Sequence, residues 1–252
     1  MYDYGVCLEY ARSFASKRNI PPGLEHSIMV GYVGDNSPGM HCYSTWKDVV
    51  VPAYIQNDEI VAAQGGKFID PDTRRVFAYF RGSIKWKLSE WHTAEMNYSN
   101  GVREFINNTY GNDELFSIQS GTSPNYVEEM ASATFCLAPL GYSLWNFRFY
   151  EAIVMGCIPV IIADNIELPY EDMIDYRQFT VKILESQVTQ MKDILLSIPK
   201  EKVRMKQEAL KRVWKHFVYN HPTKEGDAFD LLLNQLRNKV RKFQPASKAY
   251  WF

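Results

Sequence analysis

The sequence predicts an α/β protein built on a doubly wound parallel sheet, and three observations carry that expectation. Strand-length apolar runs such as Arg75–Phe80 and Cys157–Ala163 read as buried strands. They are separated by helical stretches of about 10–15 residues, the spacing of βαβ units. A composition of 46% hydrophobic and 14% aromatic residues over 252 positions can bury a large core. That excludes a disordered, collagen-like or small disulfide-scaffold chain.

In chain order, the first segment offers a helix at Tyr4–Lys17, a β-rich run at Ser27–Val33, a turn region at Gly34–Gly39 and a strand at Asp48–Tyr54. Residues 1–70 are too few for a complete Rossmann-like half and read as a partial domain. After Pro71-Asp72 the strand Arg75–Phe80 is stopped by Arg81-Gly82-Ser83. A helix (Thr93–Tyr110), a strand (Leu115–Gln119), a helix (Pro124–Ala131) and a strand (Thr134–Ala138) follow. Next come a helix (Phe147–Met155), the strand Cys157–Ala163, a short helix near Tyr170–Ile174, a strand (Gln178–Ile183) and a helix (Ser186–Ile198). Residues 71–226 thus read as one ligand-binding domain. Two closing helices, Lys200–Phe217 and Asp227–Val240, lead through 227–252, a helix and tail.

The net charge of −1 hides an asymmetry: residues 200–252 hold 13 Lys/Arg against 5 Asp/Glu. These cations could touch phosphates or membrane lipid but read first as solvated helix faces, and no nucleic-acid partner is expected. Cys7, Cys42, Cys136 and Cys157 show no zinc or redox spacing. Cys136 and Cys157 sit in apolar runs and read as small buried residues, while a Cys7–Cys42 pairing stays open. No run approaches the roughly 18 apolar residues of a membrane span, and no leader pattern follows Met1.

Ligands of open α/β sheets collect at the carboxyl ends of strands, where loops feed helix N-termini that favour anions. Two loops are so placed. Phe80-Arg81-Gly82-Ser83 offers a cation, a backbone that can approach a ligand closely and a hydroxyl. Pro139–Asn146, which includes Gly141, leads into a helix with Arg148 in its first turn and Glu151 three residues on, along the same face. Arg148 suits a diphosphate, and Glu151 suits the two ribose hydroxyls of a sugar nucleotide.

The strings Ala133–Gly141, Arg148-Phe-Tyr-Glu-Ala152, Gly156–Asp164 and Leu168-Pro-Tyr170 closely resemble the exostosin domain of glycosyltransferase family 47. Phe80-Arg81-Gly82, Trp46–Pro52, Trp214–Asn220 and Gly226–Phe229 extend the resemblance over about 40–235. Pro139-Leu-Gly-Tyr and Trp145 look most like the plant branch that builds xylan and other cell-wall polysaccharides.

The resemblance implies a GT-B architecture of two facing Rossmann-like domains, with the sugar nucleotide in the C-terminal one and an incomplete N-terminal one here. It also implies inverting transfer of a sugar, such as xylose or another pentose or uronic acid, from a UDP-sugar to a polysaccharide. The donor contacts expected are Arg81, Gly82, Ser83, Gly141, Arg148 and Glu151, with Arg148 also stabilising the leaving group. Asp35, His41 and Asp48 are the residues to inspect for a base, and Asp164 is a further strand-end carboxylate. Donor binding is expected to need no cofactor and no metal through an Asp-x-Asp motif. Related glycosyltransferase subunits, in homo- or hetero-oligomers, and the lumenal side of the Golgi membrane follow from the resemblance alone. The alternative is a non-catalytic member that binds UDP or a partner subunit without turnover.

Overall fold

The computed structural model describes residues 27–32, 34–37, 43–55, 60, 71–85, 98–141, 144 and 146–248. The expected helix Tyr4–Lys17, His41 and the Cys7–Cys42 question lie outside these residues.

Three short strands come first: β1 (Val30–Gly31), β2 (Gly34–Asp35) and β3 (Val49–Val50). The main sheet follows as β4 (Val76–Arg81), β5 (Phe116–Gln119), β6 (Ala133–Pro139), β7 (Ile158–Ile162) and β9 (Val181–Lys182), with β8 (Ile166–Glu167) outside it. Between and after them run helices α1 (Val102–Tyr110), α2 (Tyr126–Ala131), α3 (Phe147–Val154), α4 (Met191–Leu196), α5 (Lys200–Val213) and α6 (Ala228–Lys248).

The sheet order is β5-β4-β6-β7-β9, and every pairing in it is parallel. Strand β7 is apolar throughout and β6 apolar but for Thr134, because helices screen them: α2 packs on β4 and β6, and α3 packs on β6 and β7. The strand sequence leaves β4 toward β5 on one side and toward β6 on the other. That reversal places a topological switch point between β4 and β6, where crossing connections part and a crevice opens at the strands' carboxyl ends.

Several expectations shift in detail. The expected strands at Ser27–Val33 and Asp48–Tyr54 shrink to the two-residue ladders Val30–Gly31 and Val49–Val50, paired with each other in parallel. The Gly34–Gly39 turn contributes β2, antiparallel to β8. Gly34 is required there: a Cβ would sit 2.7 Å from the Glu167 Cβ and from the Val50 Cγ2. The helix expected near Tyr170–Ile174 is a turn in which Tyr170 accepts from the Met173 and Ile174 N–H groups. A 3-10 turn at Tyr98–Gly101 precedes α1, and α6 continues to Lys248, past the expected Val240.

The first segment does not stand apart from the sheet. Val49, Ala53, Ile55 and Ile60 belong to the same buried cluster as β4, β6 and β7, as does Leu231 of α6. Asp227 caps α6: buried to 1% exposure, it accepts from the N–H groups of Phe229 and Asp230, both at 3.0 Å. Burial alone would push this carboxyl up, but the backbone donors outweigh it and hold it below the usual range.

Cys136 and Cys157 are not free thiols. They form a disulfide with 5.7 Å between Cα atoms, joining β6 to the residue before β7. Spacing could not announce this pair, because the parallel register of β6 against β7 is what brings the two side chains together. Among the described residues, no helix is long and apolar enough to cross a membrane.

Candidate functional site

The switch point is occupied by arginines. Arg148, second residue of α3, reaches across from the β6 side to β4, where its Nε donates to the Arg81 carbonyl at 2.7 Å. Its guanidinium carbon lies 4.5 Å from the Phe80 ring centroid, a cation over a π face. Asn146 sets this helix start: its Oδ1 accepts the Phe149 N–H, and its Nδ2 donates to the Pro139 carbonyl at the end of β6. With Nε spent on the backbone, the Arg148 Nη1 is buried and has no hydrogen-bond partner among the described residues. Buried donors are rarely left so, and a charged one is the costliest kind.

A second guanidinium lies beside it. Arg103, in the first turn of α1, is 5% exposed and ties three carbonyls together: Leu140 at 2.8 Å, Ser83 at 3.0 Å and Pro139 at 3.2 Å. It thereby clamps the loop after β4 to the loop after β6. Its guanidinium carbon is 5.6 Å from the same Phe80 ring. Burial, and then the like charge of Arg148, hold Arg103 below the usual arginine range. A buried guanidinium beside a half-buried one whose Nη1 is buried and unpartnered makes a place for an anion.

Both loop glycines serve these arginines. A Cβ on Gly82 would stand 2.2 Å from the Arg148 Nη2, and one on Gly141 would stand 2.9 Å from the Arg103 Nη2. The sequence suggests that Gly82 lets a ligand approach the backbone; in the structure it is the Arg148 side chain that approaches.

Arg81 has a different employment from the phosphate contact expected of it. At 8% exposure, its Nε donates to the Glu129 Oε2 at 2.8 Å, its Nη2 to the Glu129 Oε1 and the Gln119 Oε1, and its Nη1 to the Thr122 carbonyl. Glu129 also accepts from the Tyr79 and Ser123 hydroxyls. Burial pushes the Glu129 carboxyl up, and these hydrogen bonds outweigh it, leaving it below the usual range. Arg81 thus fixes the end of β4 whose carbonyl orients Arg148. Ser83 is exposed, with its carbonyl held by Arg103.

Glu151 sits on the Arg148 face of α3 and accepts a short hydrogen bond from the Tyr126 hydroxyl. Burial raises its pKa, and neither Tyr126 nor the charge of Arg148 fully offsets that. Arg103, Tyr126 and Glu129 escape the sequence reading. The expected helix Thr93–Tyr110 puts Arg103 in its interior; the structure starts the helix at Val102 and so brings Arg103 into its first turn.

The other carboxylates are structural in their contacts. Asp48 is 1% exposed, accepts from the Met29 and Ser44 N–H groups at 2.9 Å and pairs with Lys47. Asp35 accepts from the Ser37 N–H at 2.8 Å in a turn. Asp164 and Glu185 cap each other's backbone N–H. One string departs from the expectation of no Asp-x-Asp: Asp70-Pro71-Asp72. Asp70 lies outside the described residues; Asp72 precedes β4, at the amino end of the strand, and accepts from the Arg204 Nη2 at 2.6 Å. Among the described residues, no three His, Cys, Asp or Glu gather as a metal site.

Comparison with known proteins identifies the family. The Exostosin GT47 domain model matches residues 25–198. A rice (Oryza sativa subsp. japonica) protein named as a probable glucuronosyltransferase is 34% identical over 242 residues, 95% of this chain and 56% of its own length. The Arabidopsis thaliana protein named probable beta-1,4-xylosyltransferase IRX10 is also 34% identical over 242 residues, 95% of this chain and 57% of its own. The chain therefore spans about half the length of the curated relatives it matches. With 174 consecutive positions fitting one family model and relatives 34% identical over 95% of its length, the chain belongs to the exostosin GT47 family.

Proposed function

We propose that this chain forms the donor-binding part of an inverting glycosyltransferase of GT-B architecture. It transfers a pentose or uronic acid from a UDP-sugar to a cell-wall polysaccharide on the lumenal side of the Golgi membrane. One observation carries the reading: the buried, unpartnered Arg148 Nη1 beside Arg103 at the β4/β6 switch point, a cationic cradle matched to a diphosphate. The names of the relatives, xylosyl- and glucuronosyltransferases, supply the reaction class. A lumenal site suits the Cys136–Cys157 disulfide, since such bonds persist in oxidising compartments.

In the transfer, an acceptor hydroxyl attacks the anomeric carbon and gives its proton to a base. The bond from that carbon to the diphosphate breaks, and its electron pair stays on the departing UDP. Arg148 is aimed at the charge that develops there, with no reorganisation because Phe80, the Arg81 carbonyl and Gly82 already fix it. Arg103 acts as a positioning residue through the two loops it ties, and the diphosphate charge is met by arginine and helix N-terminus without a metal. Glu151 accepts the ribose hydroxyls in its ionised form.

The decisive experiment incubates the chain with UDP-xylose or UDP-glucuronate and xylo-oligosaccharides, following UDP release and product length by mass spectrometry. Acceptor-dependent UDP release is expected. Tight UDP binding with no turnover on either donor would favour the non-catalytic reading, and no UDP binding at all would sink both.

Glu151 adds a pH signature. Its ionised form accepts the ribose hydroxyls, so UDP-sugar affinity is expected to fall as pH drops through a titration above the ordinary glutamate range of about 4.3. Calorimetry with an intact UDP-sugar, whose diphosphate diester does not titrate there, reads this directly. Glu151→Gln should bind more weakly and lose the pH dependence; an unchanged profile in that variant removes Glu151 from the site.

A further inference from the structure

A cavity of about 510 Å³ lies between the Tyr43–Val50 segment, the Glu167–Asp172 turn and α6, sharing no wall with the arginine cradle. Its chemistry is opposite to that cradle. Glu167, Glu171 and Asp172 line it against one ammonium, Lys239, which is 4% exposed and donates to the Thr45 carbonyl. The remaining carboxylate, Asp48, is neutralised by Lys47.

Gln235 points to what the cavity holds. It is 3% exposed, and its Nε2 donates to both Asp172 oxygens at 2.7 and 2.8 Å, which fixes the amide's orientation. The Oε1 on the other side is buried and has no partner among the described residues. A buried carbonyl in a cavity wall calls for a donor from a ligand. Glu167 already accepts from Asn36, Tyr43 and Thr45, and Glu171 from the Leu168 N–H, but a carboxylate has lone pairs for further donors, so the wall favours hydroxyl donors and repels anions. The exposed Trp46 ring adds an apolar plate of the kind on which the C–H face of a sugar ring rests. β8 follows β7 at the same carboxyl edge of the sheet that carries Arg148, so a ligand here sits on the donor's side of the molecule.

We infer that this cavity is an acceptor subsite for a neutral glycan and that it discriminates against uronate-bearing chains. The inference rests on the glycosyltransferase reading for the ligand's role, but its binding chemistry is testable apart from turnover.

The test is calorimetry of the 252-residue chain with four probes: xylohexaose, the same oligosaccharide carrying a glucuronate branch, a cationic glucosamine hexamer, and UDP. Xylohexaose is expected to bind most tightly of the three oligosaccharides. Gln235→Leu and Trp46→Ala should each raise its Kd at least tenfold while leaving UDP affinity within twofold. Glu171→Gln should selectively improve binding of the glucuronate-bearing probe by easing repulsion. Trp46 and Glu171 are exposed, so those two variants carry the test if Gln235→Leu unfolds. Absent xylohexaose binding, equal or tighter binding of the acidic or cationic probe, or indifference to all three variants would overturn the inference. Loss of UDP binding with xylohexaose binding intact would instead strike the donor reading alone.

Discussion

Arg148→Ala is expected to weaken UDP binding about a hundredfold, a loss of roughly 2.7 kcal/mol, with little change in melting temperature. The magnitude follows from the lost charge-assisted hydrogen bonds of a half-buried guanidinium. The small effect on stability follows from what the side chain does in the free protein: it leaves Nη1 buried and unpartnered, so its removal relieves a cost as well as deleting the bond to the Arg81 carbonyl. Arg148→Lys should not restore binding, because a single ammonium cannot keep Nε on that carbonyl, lie flat over Phe80 and still face a phosphate. Gly82→Ala offers a second route to the same loss without touching the charge. Its Cβ would fall 2.2 Å from Nη2, so the guanidinium must leave its place over Phe80. Titration calorimetry with UDP on the three variants, alongside thermal melts, checks this. Parent-like UDP affinity in Arg148→Ala would remove the arginine from the donor site.

The largest stability effect is expected at Cys136–Cys157. The bridge spans a sequence separation of 21, and closing a loop of that size stabilises by roughly 3 kcal/mol in the chain-entropy description. Both cysteines are fully buried between β6 and β7, and an alanine pair leaves little void, so loop closure dominates. The Cys136→Ala/Cys157→Ala double variant should therefore melt about 6–12 °C lower, at about 2–4 °C per kcal/mol for a chain of this size. UDP affinity well below the melt should stay near the parent's. Peptide mapping without reductant should recover residues 136 and 157 in one linked fragment. Two unlinked peptides, or a melt insensitive to the double variant, would refute the bridge.

The two experiments bear on different parts of the structure. The ligand role proposed for Arg148 is read in affinity; the bridge, joining the middle of β6 to the residue before β7, is read in stability. Arg81 stands between them. Held by Glu129 and Gln119, it is the residue through which the sheet's frame is transmitted to Arg148.

By itself, the sequence determined the α/β class, the five strands of the sheet within one to three residues at most ends, and the placement of Arg148 and Glu151 on one face of a helix after a strand. Those features are local: strand burial shows as continuous apolar runs, and helix faces as i,i+3 spacing. What only the tertiary structure decided is which partners those residues have. The Arg81–Glu129 pair joins positions 48 residues apart, and the Arg103 clamp reaches carbonyls 20 to 37 residues away. The disulfide depends on a parallel register that no spacing rule encodes. The second cavity needs Trp46, Glu171 and Gln235, from three distant parts of the chain, in one wall. A charged side chain carries the same letter whether it is spent on the protein or left for a ligand. The packing of non-neighbouring strands and helices, which sets burial and hydrogen-bond supply, makes Arg81 a brace and leaves the Arg148 Nη1 without a partner among the described residues.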